Sequence, residues 1–513
     1  MKKNILLFYP HTANRAVITS AIPILCGIAK KRNWNVSYFD TSFYEKPQDA
    51  TEEKELTGSF KPGFTLNKTK LPPIENIVID LQEKIDNLKP DVLAVTAMSC
   101  DFQNITSFLP KIKIPNNTIS VVGGIHSIVC PEEVINTKLF DLVCIGQGEQ
   151  TFDEILAKIE QQHNITNIKG TWFYNKTTTE IIQNPNRNLL TPDKLWNVDT
   201  DYSIFNKEYF SYPFDGTMIN MFWMEVARGC PYNCTYCGNS VLKNIYKGLG
   251  QYLCTRPLDS IFNQMQKMVN TYKIDIFNIT DECFLAHPKK WLKEFANQYS
   301  TNIRKPFLIQ TRPETVTEEN IKILLSCDAP FFQVGMGVES GSEKILVDVC
   351  NRKTKIKDII NAYDLLNKYH IRSNAYFMIG FPFETREDIF KTIELCKRIN
   401  STINVVSIFQ PLPGQPLTKL CIKEGFITGY EQLGTFTSNS VLKMPQITKE
   451  EISNLRRTFM LYAKLPKEYY PEIEKCEKDF KNNIELFNQL LSLRWKHDSI
   501  FNWEQTKSKG DNS

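Results

Sequence analysis

The sequence has no apolar run long enough to cross a membrane as one helix, and it has no excess of charge of one sign. No stretch approaches the ~20 consecutive apolar residues that a bilayer-spanning helix needs. A formal net charge of +4 over 513 residues is nearly balanced, so nothing indicates a nucleic-acid-binding surface. The chain also has no internal repeat and no low-complexity block. With 42% hydrophobic and 23% charged residues, it has the composition of a globular protein and not of a fibrous or disordered one.

We expect the N-terminal apolar run to be a first buried strand and not a secretory signal peptide. The apolar run Ile5–Tyr9 is shorter than the apolar core of such a peptide, and Pro10 and His11 interrupt it. The 14 cysteines are scattered, apart from one tight cluster near the middle, which indicates reduced thiols and a metal site and not a disulfide scaffold. We therefore expect a cytoplasmic protein in a reducing compartment.

At 513 residues the chain is too long for one ordinary core, since domains usually span ~100–200 residues. The patterning predicts an α/β protein in four parts. The first is a doubly wound parallel sheet, the second a linker, the third a partial (β/α)6 barrel and the last a helical C-terminal region. Their predicted bounds are 1–163, 164–220, 221–425 and 426–513.

Short apolar runs predict the strands of both sheets. In the first part these runs are Asn4–Tyr9, Val36–Asp40, Val92–Thr96, Ser120–Gly123 and Leu142–Ile145. In the barrel they are Met221–Ala227, Ile276–Thr280, Phe307–Gln310, Phe331–Gly335, Asn374–Ile379 and Val405–Phe409. Ligands of both architectures bind at the carboxyl ends of the strands, so a site is expected there.

The strongest chemical signal is Arg228–Ser240, RGCPYNCTYCGNS, directly after the first barrel strand. It places Cys230, Cys234 and Cys237 in a C-x3-C-x2-C spacing. Three thiolates leave a [4Fe–4S] cluster one cysteine short, so one iron is free for another ligand. The alternative is a closed structural zinc site with Cys254 as its fourth thiolate.

An aromatic residue, Tyr236, precedes the third cysteine, and in this the segment resembles the radical S-adenosylmethionine (SAM) superfamily. In that superfamily the open iron binds the amino and carboxylate groups of SAM. One electron from the cluster then cleaves SAM to methionine and a 5′-deoxyadenosyl radical. The resemblance implies a [4Fe–4S] cluster and SAM as cofactors, and a flavodoxin- or ferredoxin-type reductant.

The resemblance continues through the barrel. In NITDECF it implies that Asp281 and Glu282 lie near the methionine amino group, although this segment departs from the family's usual Gly-Gly-Glu form. In QTRPE it implies that Arg312 grips the SAM carboxylate, the alternative being an ordinary surface arginine. In VGMGVESGSEKIL it places Glu339 and Ser340 beside the ribose and methionyl groups.

Two turns complete the barrel motifs. In YFMIGFPFET, Gly380 belongs to a glycine-proline turn that lets the backbone approach the adenine. The segment FQPLPGQPL resembles the last-strand turn of the cobalamin-binding branch of the superfamily.

The first part of the chain resembles the cobalamin-binding domain of that branch, through VVGGIHS and IGQGEQTFDEIL. The resemblance implies that glycine turns approach the nucleotide tail and that polar residues line the cofactor. The implied residues are Ser99, Gly123, Gly124, His126, Gly146, Gly148 and Glu149. The alternative is a generic doubly wound domain with glycine turns.

One departure concerns the cobalt ligand. The wider cobalamin-binding family carries an Asp-x-His-x-x-Gly motif after the first strand, but this loop reads YPHTANRA. His11 has no aspartate two residues before it and no glycine three residues after it. We therefore expect cobalamin without a histidine on cobalt, and His126 as a polar contact or an internally satisfied turn residue.

The resemblance implies a cobalamin-dependent radical SAM methyltransferase. Methyl transfer from methylcobalamin would reach an unactivated carbon or phosphorus centre of a small-molecule, lipid or natural-product substrate. One alternative is a radical cyclisation or rearrangement by the same subclass. A second is a non-catalytic iron–sulfur or zinc-stabilised binding protein.

Overall fold

A computed structural model describes residues 2–11, 18–45, 54–55, 57–59, 71–215, 217–429 and 438–497. Within these ranges no helix combines the length and the apolar character needed to cross a bilayer.

The first sheet has seven strands in the order β2-β1-β3-β4-β5-β6-β7. They are β1 (Asn4–Tyr9), β2 (Asn35–Asp40), β3 (Val92–Thr96), β4 (Ile119–Gly123), β5 (Leu142–Cys144), β6 (Thr171–Tyr174) and β7 (Ile181–Gln183). The strands β1 to β5 pair in parallel, whereas β6 and β7 add an antiparallel hairpin at one edge. The five predicted strands are confirmed.

Helices cover both faces of this sheet. They are α1 (Ala21–Lys31), α2 (Asn76–Leu88), α3 (Phe102–Phe108), α4 (Ile125–Val129), α5 (Pro131–Asn136) and α6 (Gly148–Glu160). Ile5 and Leu7 of β1 belong to one hydrophobic cluster, while Leu6 and Phe8 belong to another. Because successive side chains of a strand point to opposite faces, apolar residues at every position require cover on both sides. The sheet is therefore doubly wound, as predicted.

The second sheet runs β16-β15-β14-β13-β12-β9-β8. Its strands are β8 (Ser211–Phe214), β9 (Thr217–Met224), β12 (Ile276–Ile279), β13 (Phe307–Thr311), β14 (Phe332–Glu339), β15 (Arg372–Ile379) and β16 (Ile403–Ile408), with a two-stranded ladder of β10 (Ala227–Arg228) and β11 (Cys254–Thr255) beside it. Six strands are parallel, and β8 pairs antiparallel with β9. Since β16 does not pair with β9, the sheet curls without closing. The partial barrel of six β/α repeats is confirmed.

The remaining helices follow in chain order. They are α7 (Pro192–Trp196), α8 (Gly238–Ile245), α9 (Leu258–Tyr272), α10 (Lys289–Asn302), α11 (Glu318–Leu325), α12 (Ile356–Lys368), α13 (Arg386–Ile399), α14 (Pro416–Lys423), α15 (Lys449–Lys464), α16 (Tyr470–Lys478) and α17 (Ile484–His497). The last three form the predicted C-terminal helical region, whose residues 430–437 and 498–513 lie outside the described ranges.

In the segment 164–220, whose sequence predicts an edge strand at Gly170–Tyr174 and otherwise a linker, the structure has β6 at Thr171–Tyr174 and also β7 and β8. The residues of β7 and β8 are largely exposed or half-exposed, as Ile181 and Gln183 illustrate. Backbone pairing to a neighbouring strand holds such edge strands, and hydrophobic periodicity does not reveal it. The domain bounds themselves stay a prediction.

Side chains and backbone join the two sheets. Gly27 of α1 packs so tightly on the backbone of Asp199 that a β-carbon would overlap its carbonyl oxygen. The Tyr209 hydroxyl donates to Oδ1 of Asp40, the last residue of β2, at 3.0 Å. The segment that leads into the second sheet is therefore held against α1 and the end of β2 by specific contacts.

Candidate functional site

The three-cysteine loop begins directly after β10, at the carboxyl end of the first barrel strand. Gly229 has φ 92°, and a β-carbon there would lie 2.6 Å from the Tyr252 carbonyl oxygen. Only glycine meets both conditions without strain. Of the three thiols, Cys234 is buried, whereas Cys230 and Cys237 are half-buried.

The middle of the loop is fastened to the segment after β14. Thr235 donates its backbone N–H to Cys350 O at 3.1 Å and its hydroxyl to Val349 O at 2.6 Å. These carbonyl groups become available because a π-helical turn, Ile345–Val349, ends there. Such turns are rare and often lie at functional sites. Tertiary contacts thus fix the loop.

Polar groups point at the sulfurs. Arg312 Nη1 lies 3.6 Å from Cys234 Sγ, and Asn239 Nδ2 lies 3.8 Å from Cys237 Sγ. Burial raises the pKa of Cys230 to about 12 and also raises that of Cys237. These thiols therefore stay protonated until a metal centre displaces their protons. Three thiols in one loop, two of them with a hydrogen-bond donor near the sulfur, fit an iron–sulfur cluster, whose potential such donors tune.

The alternative zinc site with Cys254 is not formed. A tetrahedral zinc with Zn–S bonds of about 2.3 Å needs its sulfurs within about 4 Å of one another. Within the described ranges, no set of three metal-ligand atoms within 4.8 Å of one another includes a cysteine of this loop. Cys254 is buried in a separate ladder and accepts from Trp196 Nε1 at 3.2 Å.

Arg312 is 8% exposed, so its interpretation as a surface arginine is wrong. Its guanidinium lies 3.8 Å from the ring centre of Tyr232, in the cysteine loop. Nη2 donates to Thr354 at 2.9 Å, and Nε lies 2.6 Å from Glu314. The cation thus lies against the loop with a carboxylate partner already in place.

The two acidic residues after β12 point in different directions. Asp281 is buried and pairs with His287 Nε2 at 2.5 Å. Glu282 hydrogen-bonds Asn239 beside the third cysteine, and the surrounding protein raises its pKa although solvent still reaches it. Glu282 therefore faces the cysteine loop, while Asp281 is linked through His287 to Thr255 of β11.

A buried network follows β14. Glu339 has φ 64° at a β-bulge, and its carboxylate lies 3.4 Å from Arg352 Nη1 and hydrogen-bonds Tyr236. Arg352 also donates to the Tyr236 hydroxyl at 3.2 Å. Burial raises the pKa of Glu339, and the guanidinium counteracts this. The residue preceding the third cysteine is thereby linked to the Gly-x-Glu segment.

Ser340 is fully buried and acts within the scaffold. Its hydroxyl lies 3.3 Å from Thr392 Oγ1 of α13 and accepts the backbone N–H of Ser342 at 3.1 Å. These contacts account for the serine without a ligand.

Gly380 has φ 79°, and the turn that it forms is closed by Glu384. Glu384 accepts the backbone N–H groups of Gly380 at 2.5 Å and Phe381 at 3.2 Å. Its other oxygen, Oε1, is buried and has no hydrogen-bond partner. Burial raises the pKa of this carboxyl to about 8.

The raised pKa of Glu384 predicts a pH-dependent stability. The folded protein keeps this proton up to a pH of about 8, whereas an unfolded glutamate releases it near ~4.3. The folded state therefore binds more protons in this window, and stability falls as pH rises through it. Glu384→Gln removes the titration, so its melting temperature should rise relative to wild type as pH increases. Glu387→Gln, on the exposed face of α13, is the control. If the melting temperatures of Glu384→Gln and wild type change by the same amount as the pH rises, the prediction is contradicted.

The predicted residues of the first sheet gather at the carboxyl ends of β3, β4 and β5. Gly124 has φ 101°, and a β-carbon there would lie 2.5 Å from Ala97 O. In contrast, no described atom lies within 4 Å of the β-carbon position of Gly146. Gly123 and Gly148 are similarly open, with nearest atoms at 3.8 and 3.9 Å. This open glycine edge fits a flat cofactor tail.

His126 and Ser99 form one pair at this edge, with Nδ1 3.2 Å from the serine hydroxyl. Burial lowers the pKa of His126 to about 4, so the ring is neutral. Glu149 points to the barrel instead, where Arg228 Nη1 donates to its Oε1 at 2.7 Å.

Sequence reasoning missed four charged residues: Glu225, Arg228, Arg352 and Glu384. Arg228 bridges Glu149 and Glu225, and the other two stabilise the segments described above. Glu384 lies within the quoted YFMIGFPFET motif, where an acidic residue after a glycine-proline turn was an available signal. Arg352 carried no local signal.

A parallel partial barrel with a three-cysteine loop after its first strand defines a protein that builds a metal centre at the mouth of the barrel. Residues 224–396 match the model of the radical SAM superfamily. Residues 224–396 of the chain therefore form a radical SAM domain.

Known proteins resemble most of the chain. An uncharacterized methyltransferase of Pyrococcus horikoshii is 24% identical over 76% of this chain and 82% of its own length. An anaerobic magnesium-protoporphyrin IX monomethyl ester cyclase of Cereibacter sphaeroides is 22% identical over 75% of this chain but only 62% of its own length. The structure of the radical SAM methyltransferase TsrM from Kitasatospora setae, with cobalamin and a [4Fe–4S] cluster bound, aligns with a TM-score of 0.61 at 15% identity, covering 83% of this chain and 75% of that one. At that identity the likeness concerns the fold.

Proposed function

We propose that the protein is a cobalamin-dependent radical SAM methyltransferase that acts on a small-molecule, lipid or natural-product substrate. The observation that carries the proposal is the ion pair between Arg228 and Glu149. It joins the start of the cysteine loop to the residue after the open glycine edge of the first sheet. A cofactor at that edge and a cluster in the loop would then face a common cavity.

The cysteine loop supplies the ligands of the cluster in this proposal. Cys230, Cys234 and Cys237 provide three thiolates and leave one iron for SAM. Glu282 is the carboxylate that remains accessible beside the third cysteine, so it is suited to the methionine amino group. Arg312 lies at the same loop and would orient the methionine carboxylate.

The network behind the loop positions the rest of SAM. Tyr236, Glu339 and Arg352 are linked by hydrogen bonds and hold the end of β14 against the third cysteine. Glu384 closes the turn at Gly380, and in this proposal the backbone of that turn would lie beside the adenine. Asp281 and Ser340 stabilise these segments and need not touch SAM.

Cobalamin would lie along the first sheet. The space in front of the strand ends is open at Gly123, Gly146 and Gly148, because glycine has no side chain. Ser99 and His126 border the same edge. The loop after β16 closes this side, because a β-carbon on Gly414 would lie 3.7 Å from Val129 of α4. When bound, the cluster with SAM supplies a radical that removes a hydrogen atom, and the cobalamin supplies a methyl group.

The second candidate is a radical cyclisation on the same scaffold. It is favoured by the resemblance to a protoporphyrin ester cyclase, which matches nearly as much of this chain as the methyltransferase does. The two candidates share their cofactors and reductant, a flavodoxin- or ferredoxin-type protein. They differ in whether a methyl group leaves SAM.

The test separates cofactor binding from methyl transfer. Anaerobically reconstituted wild type should retain about one cobalamin per chain and, with a low-potential reductant, form 5′-deoxyadenosine from SAM. With methyl-labelled SAM, label should move to the cobalamin and S-adenosylhomocysteine should appear. Gly146→Phe, which fills the open edge, should weaken cobalamin binding at least about tenfold.

Gly429→Phe is the matched control, because its β-carbon position is also open but lies beyond the barrel. 5′-Deoxyadenosine without any labelled methyl on cobalamin would exclude the methyltransferase and favour the cyclisation. Equal cobalamin binding by Gly146→Phe and wild type would show that the glycine edge is not the binding site.

A further inference from the structure

Three potential metal ligands meet behind the glycine turn of β4. They are His126, Cys130 and Glu133, in an H-x3-C-x2-E spacing. One nitrogen, one sulfur and one carboxylate oxygen from them all lie within 4.8 Å of one another. In the part of the chain that the structure describes, this is the one such group of three or more.

Helix geometry brings the first two together. Residues four apart share one face of a helix, and the backbone N–H of Cys130 donates to His126 O at 2.8 Å. Pro131 then starts α5, and this change of direction returns Glu133 to the same point. Its Oε2 lies 3.6 Å from His126 Nε2. The backbone thus brings His126, Cys130 and Glu133 together, and of these three only the glutamate side chain can change its position.

The histidine is prepared to be a ligand. Its Nδ1 lies 3.2 Å from the Ser99 hydroxyl, and its ring packs on Phe102 with centroids 4.1 Å apart. When Nδ1–H donates to the serine, Nε2 presents its lone pair to the triad. That nitrogen is buried, has no hydrogen-bond partner, and belongs to a residue that is 3% exposed. Metal-bound histidines are oriented in this way by a hydrogen bond at the other ring nitrogen.

We infer that His126, Cys130 and Glu133 bind a divalent metal ion, for which Zn²⁺ is the best match. A neutral imidazole, a thiolate and a carboxylate balance a charge of 2+ once Cys130 releases its proton. Zinc takes this nitrogen, sulfur and oxygen set, whereas magnesium and calcium take oxygen ligands. Water completes a tetrahedron. The glutamate side chain is 47% exposed, so the ion can enter from solvent on that side.

This site is separate from the three-cysteine loop and takes no part in the proposed radical chemistry. It would fasten α4 and α5 to each other directly behind Gly124, so the ion would fix the shape of the glycine turn. The Nδ1 side of His126, which pairs with Ser99, would then face the cofactor edge, and Nε2 would face the metal ion.

Zinc content measures the proposal directly. Full-length protein with its iron–sulfur cluster loaded is incubated with Zn²⁺, desalted, and analysed for zinc and iron. Wild type should retain about one zinc per chain, and the zinc dissociation constant, from competition with a chromophoric chelator, should rise at least about 100-fold in Cys130→Ser. Ser99→Ala keeps all three ligands but loses the orienting bond, so a weakening of about 10–100-fold is expected.

Cys476→Ser is the control, since this buried thiol of α16 lies outside the triad and should leave zinc binding unchanged. Equal zinc affinity of wild type and Cys130→Ser, or no zinc on wild type, would overturn the inference. Iron content and 5′-deoxyadenosine formation are read on the same samples. They report on the radical SAM function independently, so its failure is distinguishable from the failure of the zinc site.

Discussion

Cys234→Ala is expected to reduce 5′-deoxyadenosine formation to background. The buried Cys234 is the thiol that Arg312 contacts, and its loss leaves two protein ligands for a cluster that needs three. Reconstituted wild type should carry about four irons per chain, and the variant far fewer. Iron analysis and quantitation of 5′-deoxyadenosine check both statements.

Cys254→Ala is the matched control for this result. Cys254 is also buried and close in sequence, but its sulfur accepts from Trp196 in a separate ladder. It should retain its iron and its SAM cleavage. Loss of the metal centre in Cys254→Ala, or wild-type cleavage by Cys234→Ala, would refute the assignment of the cluster ligands.

Arg352→Met is expected to cause the largest loss of stability among single charge removals. Arg352 is 4% exposed and pairs with the carboxylate of Glu339, whose side chain is 12% exposed. Removing one partner of a buried pair leaves an uncompensated charge, at a cost of about 3–5 kcal/mol. Thermal unfolding should therefore begin on the order of 10 °C lower.

Two further variants isolate the cause of this effect. Arg352→Met with Glu339→Gln removes both charges and should recover part of the lost stability, because no buried ion remains. Arg398→Met breaks a surface pair with Asp364, which should be worth less than about 1 kcal/mol. If Arg352→Met melts no earlier than Arg398→Met, Glu339 does not depend on this guanidinium.

The strands were predictable because their signal is local. Five parallel strands are predicted from short, mostly apolar runs, and the structure has all five with nearly the predicted bounds, although β2 is mainly half-buried. The cysteine loop was equally predictable, since its three cysteines lie within eight residues of one another and follow a strand end. Short, exposed edge strands such as β7 were not, because pairing with a neighbouring strand holds them in place.

The roles of individual polar residues depended on distant partners. Asp281 pairs with His287 and Ser340 lies beside Thr392, contacts that the sequence did not reveal, and the proximity of both residues to SAM stays a prediction. Arg312 was open to interpretation as a surface residue, until burial against Tyr232 excluded it. A motif fixes where a residue lies along the chain, and its neighbours in space decide what its side chain can contact.

The sequence by itself determined the fold class, the order of the two sheets and the position of the three-cysteine loop after the first barrel strand, because periodicity and short-range spacing encode these features. Only the tertiary structure decided how charges are paired. Arg228 meets Glu149 across 79 positions of sequence, and Arg352 meets Tyr236 across 116. A buried charged side chain requires a partner, but the amino-acid sequence alone does not identify that partner. The chain must fold before that partner is brought within a hydrogen bond.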